Sequence, residues 1–303
     1  MKHSQRIIII GAGGFLGRNI TEYLSGIDMY QIIAITQGAD QFRKTIDKLS
    51  QVIVLPENAL NTKDMILDNE DLMINCAYPR GMQGTNITLG LDYIEEVFSL
   101  AAKASIKGII NVSSQSVYNP EREKPATEED MPDLQSIYAV GKYCVEKLLN
   151  NICDCIPHTN IRLASLIGPG FDDRVPNKMV RSALLNREIV IQDSKQVFGY
   201  LDVKDAAYGF EKLLSLPVDK WKAVYNMGPD TGYTLIQIAK CIQQVLSDRW
   251  GLAVKLVVHN AENRNNSMIT SSLLKNDIGN YVSRSMESSM EVIIQECLQT
   301  GIT

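Results

Sequence analysis

Through the first half of the chain, short apolar runs rich in β-branched residues alternate with longer stretches whose apolar positions recur every three or four residues. The runs predict strands over Arg6 to Ile10, Gln31 to Thr36, Gln51 to Leu55, Leu72 to Cys76, Gly108 to Val112 and Asn160 to Ala164. Several, such as I-I-I-I at 7–10, are apolar at every position rather than at alternate ones, the pattern of a parallel sheet covered by helices on both faces. Between them, L-G-L-D-Y-I-E-E-V-F-S-L-A-A-K-A at 89–104 and the stretch at about 136–150 keep helical spacing. Beyond Gly168 the alternation gives way to a loop, G-P-G-F-D-D-R-V-P, and helical patterns return near 178–186, 205–214 and 235–247. This order predicts an α/β protein built on a parallel sheet, with a smaller C-terminal lobe and no internal repeat.

Composition narrows the class. A chain of 303 residues has room for one large domain or two unequal lobes. Hydrophobic content of 45% and charged content of 21% are those of a globular protein with a sizeable core. A net charge of −5, with no basic run of five residues, argues against nucleic acid as a partner. The first residues are basic and then apolar, but four isoleucines before a glycine are too few for a secretory or membrane segment, so no membrane partner and a cytoplasmic location are expected. Cysteines at 76, 144, 153, 155, 241 and 297 show no regular spacing and read as reduced thiols. Cys153 and Cys155 lack a second pair at zinc spacing, so no metal is expected. None of the histidines at 3, 158 and 259 stands beside a nucleophile, which argues against a Ser-His-Asp hydrolase.

The first candidate chemistry follows the first strand. Gly11, Gly14 and Gly17, in the pattern G-x-x-G-x-x-G, lead from that strand into a helix. Such glycines let the backbone turn tightly against a pyrophosphate while the amides of the helix N-terminus stabilise its charge. The expected cofactor contacts are Gly11, Gly14, Phe15, Leu16 and Gly17, with Thr36 ending the second strand and Ala77 following the fourth. No acid accompanies Ile35, Thr36 and Gln37 to hold ribose hydroxyls, and Arg43 and Lys44 farther on are positioned to meet a 2′-phosphate, so NAD or NADP stays open.

A second candidate is a tyrosine followed four residues later by a lysine. The spacing occurs at Tyr138/Lys142, Tyr143/Lys147, Tyr200/Lys204 and Tyr208/Lys212, so spacing alone does not choose. Position does. The fifth strand runs into N-V-S-S-Q-S-V-Y at 111–118, and ligands of parallel sheets sit outside the carboxyl ends of the strands. A helix returning from that end begins near Ser136, with Tyr138 and Lys142 on one face of its first two turns. Tyr143 lies about 7.5 Å farther down and roughly 140° round the axis. Ile137, Gly141, Cys144, Val145 and Leu148 form the expected apolar stripe, leaving Tyr143 and Lys147 on a solvated or subunit-facing side.

Taken in order, these segments resemble the extended short-chain dehydrogenase/reductases, also called the NAD-dependent epimerase/dehydratase family. The resemblance adds N-C-A-Y at 75–78, Asn86 heading the next helix, I-R-L-A-S-L-I-G-P-G at 161–170, Y-L-D-V-K-D-A-A at 200–207 and Y-N-M-G-P at 225–229. It implies a Rossmann-type doubly wound parallel sheet over about 1–165 and 200–230, and a substrate-binding lobe over about 166–199 and 231–303. It also implies a catalytic Tyr138, Lys142 and Ser114, a nicotinamide cofactor held in part by Tyr138 and Lys142, and a nucleotide-sugar substrate. A homodimer through the helices at about 89–104 and 136–150 is expected as well. A free tyrosine titrates near ~10, and a neighbouring ammonium favours its phenolate, which takes a proton from a sugar hydroxyl as hydride leaves the same carbon.

Departures from the family pattern refine the expectation. Family dehydratases carry Asp-Glu after the serine; here Gln115 and Ser116 stand there, which argues against dehydration. Ser165 replaces an Asn and Phe198 an Arg of the diphosphate site, leaving Ser114, Gln115 and Arg264 as the substrate candidates. The expected activity is an NAD(P)-dependent epimerase or reductase of a nucleotide sugar. The alternatives are a reductase of a small non-nucleotide carbonyl or a cofactor-binding protein without turnover.

Overall fold

A computed structural model describes residues 4–46, 49, 51–62, 65–78, 84–193, 196–260, 262 and 264–302, apart from the side chains of 84–86 and 193. The chain runs β1 (Gln5–Ile10), α1 (Phe15–Leu24), β2 (Tyr30–Thr36), α2 (Ala39–Thr45), β3 (Val52–Pro56), β4 (Leu72–Asn75), α3 (Gly84–Ala104), β5 (Gly108–Ser114), α4 (Ile137–Ile152) and β6 (His158–Leu163). It continues through β7 (Ser165–Ile167), α5 (Val175–Asn186), β8 (Glu188–Asp193), β9 (Tyr200–Asp202), α6 (Val203–Ser215) and β10 (Val224–Met227). The last elements are α7 (Leu235–Trp250), β11 (Lys255–Asn260), α8 (Ser272–Ile278) and α9 (Met286–Gln299).

Among the described residues, seven strands form one parallel sheet in the order β10-β6-β5-β4-β1-β2-β3. The continuous apolar strands are explained by its two covered faces: Ile7 and Ile9 belong to one hydrophobic cluster, and Ile8 and Ile10 to another on the opposite side. A third cluster joins α5, α7 and α9 with Ile189 and Ile191 of β8, away from the large sheet.

Each strand expected from the sequence exists, with ends displaced by one or two residues. β5 extends to Ser114 and β6 starts at His158. The elements absent from the expectation lie mostly in the second half. In α9, Met286, Met290, Ile293, Ile294 and Cys297 are buried at helical spacing and Ser285 caps the first turn by accepting from the Ser288 amide, so the sequence does carry its signal. The pair β8 and β11 carried a weaker one, because β11 is half-buried to exposed along its length and, among the described residues, pairs with β8 alone.

Candidate active site

The sheet order reverses at β1, whose neighbours are β2 and β4, and a cleft of about 1290 Å³ opens where β1, β4 and β5 end. The glycine loop shapes its floor. Gly11 has φ +75°, and a Cβ there would lie 2.7 Å from the Ala77 nitrogen; one on Gly17 would overlap the Gly11 carbonyl oxygen. The loop is thereby pressed against the exit of β4, and the Gly14 amide donates to the Gly11 carbonyl at 3.0 Å. No side chain caps the first turn of α1, which leaves its amides available to an anion. Gly11, Gly14, Phe15, Leu16, Gly17, Thr36 and Ala77 all line this cleft. A glycine turn packed this tightly behind the uncapped start of α1, with Gly11, Gly14 and Gly17 lining the cleft, fits a dinucleotide pyrophosphate.

The end of the cleft beside β2 and β3 is less basic than the sequence suggested. Arg43 donates to Asp40 at 2.8 Å and to the Val54 carbonyl at 2.9 Å, and neither it nor the exposed Lys44 lines the cleft. Glu57, just past β3, does line it.

Ser114, Tyr138 and Lys142 line one cleft. Ser114 ends β5, its Oγ 2.8 Å from that of Ser116 while accepting from the Ser116 amide at 3.2 Å. Gln115 lines the same wall, with its Oε1 held by Arg122 at 2.8 Å. Ser136 caps α4 by accepting from the Ala139 amide at 3.1 Å, which starts the helix at the cleft and brings Tyr138 and Lys142 into its wall. Lys142 is 5% exposed, and its Nζ donates to the Val112 carbonyl at 2.8 Å. Burial pulls its pKa down to about 8, against the opposing influence of Cys76 and Glu146. The other three Tyr/Lys pairs lie outside the lining, and Lys147 sits over the Tyr143 ring at 4.8 Å.

The buried face of α4 differs from the expected stripe. Gly141 and Val145 are buried, but Ile137 is 61% exposed, and Lys142 and Glu146 are buried in its stead. Glu146 tolerates burial because it accepts from Ser113 Oγ at 2.5 Å and from Arg162 at 3.1 and 2.9 Å. A ladder of amides also crosses the sheet: Asn75 donates to Asn111, and Asn111 to Asn160, at 2.9 and 2.8 Å. Apolar periodicity carries no signal for such paired polar groups.

Among the positions expected to meet substrate, Ser165 lines the cleft, whereas Phe198 stacks on Tyr200 and the exposed Arg264 is not part of the lining. Asn86 has its side chain outside the described residues. Sequence reasoning missed Arg174. It precedes α5, its guanidinium stands 4.6 Å over the Phe171 ring, and Phe171 in turn stacks on Phe15 at 4.2 Å. Its Nε is buried without a hydrogen-bond partner among the described residues. The loop D-D-R gave no sign that Asp173 and Arg174 would both line the cleft.

Comparison with known proteins agrees with this architecture. The model of the NAD dependent epimerase/dehydratase family matches residues 7–228. A UDP-glucose 4-epimerase of Caenorhabditis elegans is 22% identical over 294 residues, covering 79% of this chain and 82% of that protein. The UDP-glucose 4-epimerase of Bacillus subtilis is 20% identical, covering 79% and 81%. Among solved structures, UDP-glucuronic acid 4-epimerase from Bacillus cereus in complex with NAD superposes with a TM-score of 0.84 at 19% identity, covering 97% of this chain and 99% of that one. UDP-N-acetylglucosamine 4-epimerase from Methanobrevibacter ruminantium, in complex with UDP-N-acetylmuramic acid, gives 0.82 at 19% identity, covering 99% and 100%. At these identities the structural likeness establishes the fold.

Proposed function

The chain belongs to the NAD-dependent epimerase/dehydratase family, and from that premise we propose that it is an NAD-dependent epimerase acting on a carbinol carbon of a nucleotide sugar. The observation that carries the reading is one continuous cleft holding the glycine cradle, Ser114, Tyr138 and Lys142. Its volume of about 1290 Å³ exceeds the ~300–1,000 Å³ of an ordinary ligand pocket and has room for a second ligand beside a dinucleotide.

The cradle at Gly11, Gly14 and Gly17 holds the pyrophosphate. Bound NAD supplies a hydride acceptor that can also give the hydride back. Ser114 and Ser116 orient the sugar hydroxyl. Tyr138 takes its proton as the carbon is oxidised, and returns one after the keto sugar has turned its other face. The Lys142 ammonium favours the Tyr138 phenolate. Arg174, with a buried N–H to satisfy, contacts an anionic group of the substrate and takes the place of the arginine absent at Phe198. With Gln115 bound to Arg122 and Ser116 beside it, no carboxylate stands where a dehydratase needs its acid and base. NAD is favoured over NADP because Arg43 is already engaged and Glu57 would oppose a 2′-phosphate. A homodimer through α3 and α4 fits the exposed Leu89, Ile137 and Val140. Free thiols and the lack, among the described residues, of a helix long and apolar enough to cross a membrane fit a cytoplasmic setting.

The test is incubation with NAD and, separately, UDP-glucose, UDP-N-acetylglucosamine and UDP-glucuronic acid, followed by NMR of the sugar protons. Formation of an epimer without net NADH is expected, with a raised KM in Arg174→Leu. Net NADPH consumption with a keto sugar, and no epimer from any of the three, would overturn the reading.

A further inference from the structure

Tyr78 is unused by the chemistry proposed above, yet it touches both reacting side chains. It follows the end of β4, and its ring centroid lies 5.1 Å from that of Tyr138 with the planes at 83°. Lys142 Nζ stands 4.5 Å over the same ring. The Tyr78 hydroxyl reaches α4, donates to the Tyr138 carbonyl at 3.4 Å, and occupies the space that a Cβ on residue 141 would take. Gly141 is buried in the interior of α4, where glycine is a poor choice compared with alanine. The fit to the tyrosine hydroxyl explains the glycine.

Lys142 needs such a neighbour. Its hydrogen bond goes to a neutral carbonyl, that of Val112, and the nearby Glu146 carboxylate is already bound to Ser113 and Arg162. The titratable groups around it are Cys76 from the end of β4, Tyr78, and Tyr138 and Glu146 on its own helix; β5 meets its Nζ with the Val112 carbonyl. Burial pushes the Cys76 thiol up to about 12, so it supplies no anion near neutrality. An aromatic face carries negative potential and attracts an ammonium most strongly where water is excluded.

We propose that Tyr78 is a positioning residue of the active site: locked by its hydroxyl against Gly141, its ring holds Lys142 as an ammonium beside Tyr138. The proposal rests on the roles given above to Tyr138 and Lys142, but its test needs no substrate. In protein labelled with 13Cε-lysine, the Lys142 resonance is assigned by its loss in Lys142→Met and titrated by NMR. Tyr78→Leu keeps the apolar bulk and removes the ring face, and is expected to lower the Lys142 titration by about 0.5–1 pKa unit. Tyr78→Phe keeps the ring and stays closer to the wild type. A Tyr78→Leu titration that coincides with the wild type overturns the proposal.

The lock is tested separately by thermal unfolding. Gly141→Ala is expected to lower Tm, although alanine ordinarily improves a helix interior, and adding Tyr78→Phe is expected to recover much of the loss. A Gly141→Ala protein at least as stable as the wild type also overturns it. If both results are as expected and no nucleotide sugar is turned over, the positioning role stands and the functional reading falls.

Discussion

Four tyrosines in this chain precede a lysine by four residues, and only Tyr138 brings its lysine into the cleft. Tyr138→Phe removes the proposed proton acceptor, so kcat is expected to fall by about 10²–10⁴-fold in a protein that still folds. Tyr143→Phe, measured in parallel, is expected to keep its turnover; its loss in a folded protein would move the assignment down the helix. Lys142 adds a pH signature. With its pKa held at about 8, the ammonium is present below that pH and is lost as pH rises through it. Turnover is therefore expected to hold up to about pH 8 and decline above, and Lys142→Arg, whose charge persists, is expected to carry the plateau higher in a pH-rate profile.

At the scale of elements, α4 meets the sheet through a buried ion pair as well as through apolar contact. Glu146 and Arg162, 3% and 4% exposed, join α4 to β6, and Ser113 brings in β5. Arg162 also donates to the Tyr118 hydroxyl at 3.0 Å, which donates to Asn226 of β10 at 2.8 Å. Glu146→Gln leaves a buried guanidinium without its counter-charge and is expected to cost about 3–5 kcal/mol in denaturant unfolding. The double change Glu146→Gln with Arg162→Met is expected to cost less than the single one. An additive loss would show that the pair is not coupled.

For the whole molecule, the glycine turn, Ser114, Tyr138, Lys142 and Arg174 come from several elements to line one cleft, so a ligand that fills it binds the folded state alone. NAD at a hundred times its Kd is expected to add about 2.7 kcal/mol, or roughly 4 °C in Tm for a chain of this length, and NADP less. An equal or larger shift with NADP would reverse the cofactor preference. The α3 and α4 surface predicts a mass near twice 33.8 kDa by light scattering, and a monomer at assay concentration would remove the dimer from the reading.

The local pattern of the sequence sufficed for the parallel α/β class, the glycine turn and the helix start that places Tyr138 and Lys142, because covered strands, tight turns and caps leave their signals within a few residues. Several features were decided only in three dimensions. Arg174 faces inward because Phe171 and Phe15 stack beneath it, while Arg264 stays outside. The buried face of α4 turned toward Lys142 and Glu146 because partners on β5 and β6 meet them. Tyr78 and Gly141, 63 positions apart in sequence, fit each other only because β4 ends beside the first turns of α4. Such long-range pairings depend on which strand ends meet which helix, and no window of neighbouring residues contains that information.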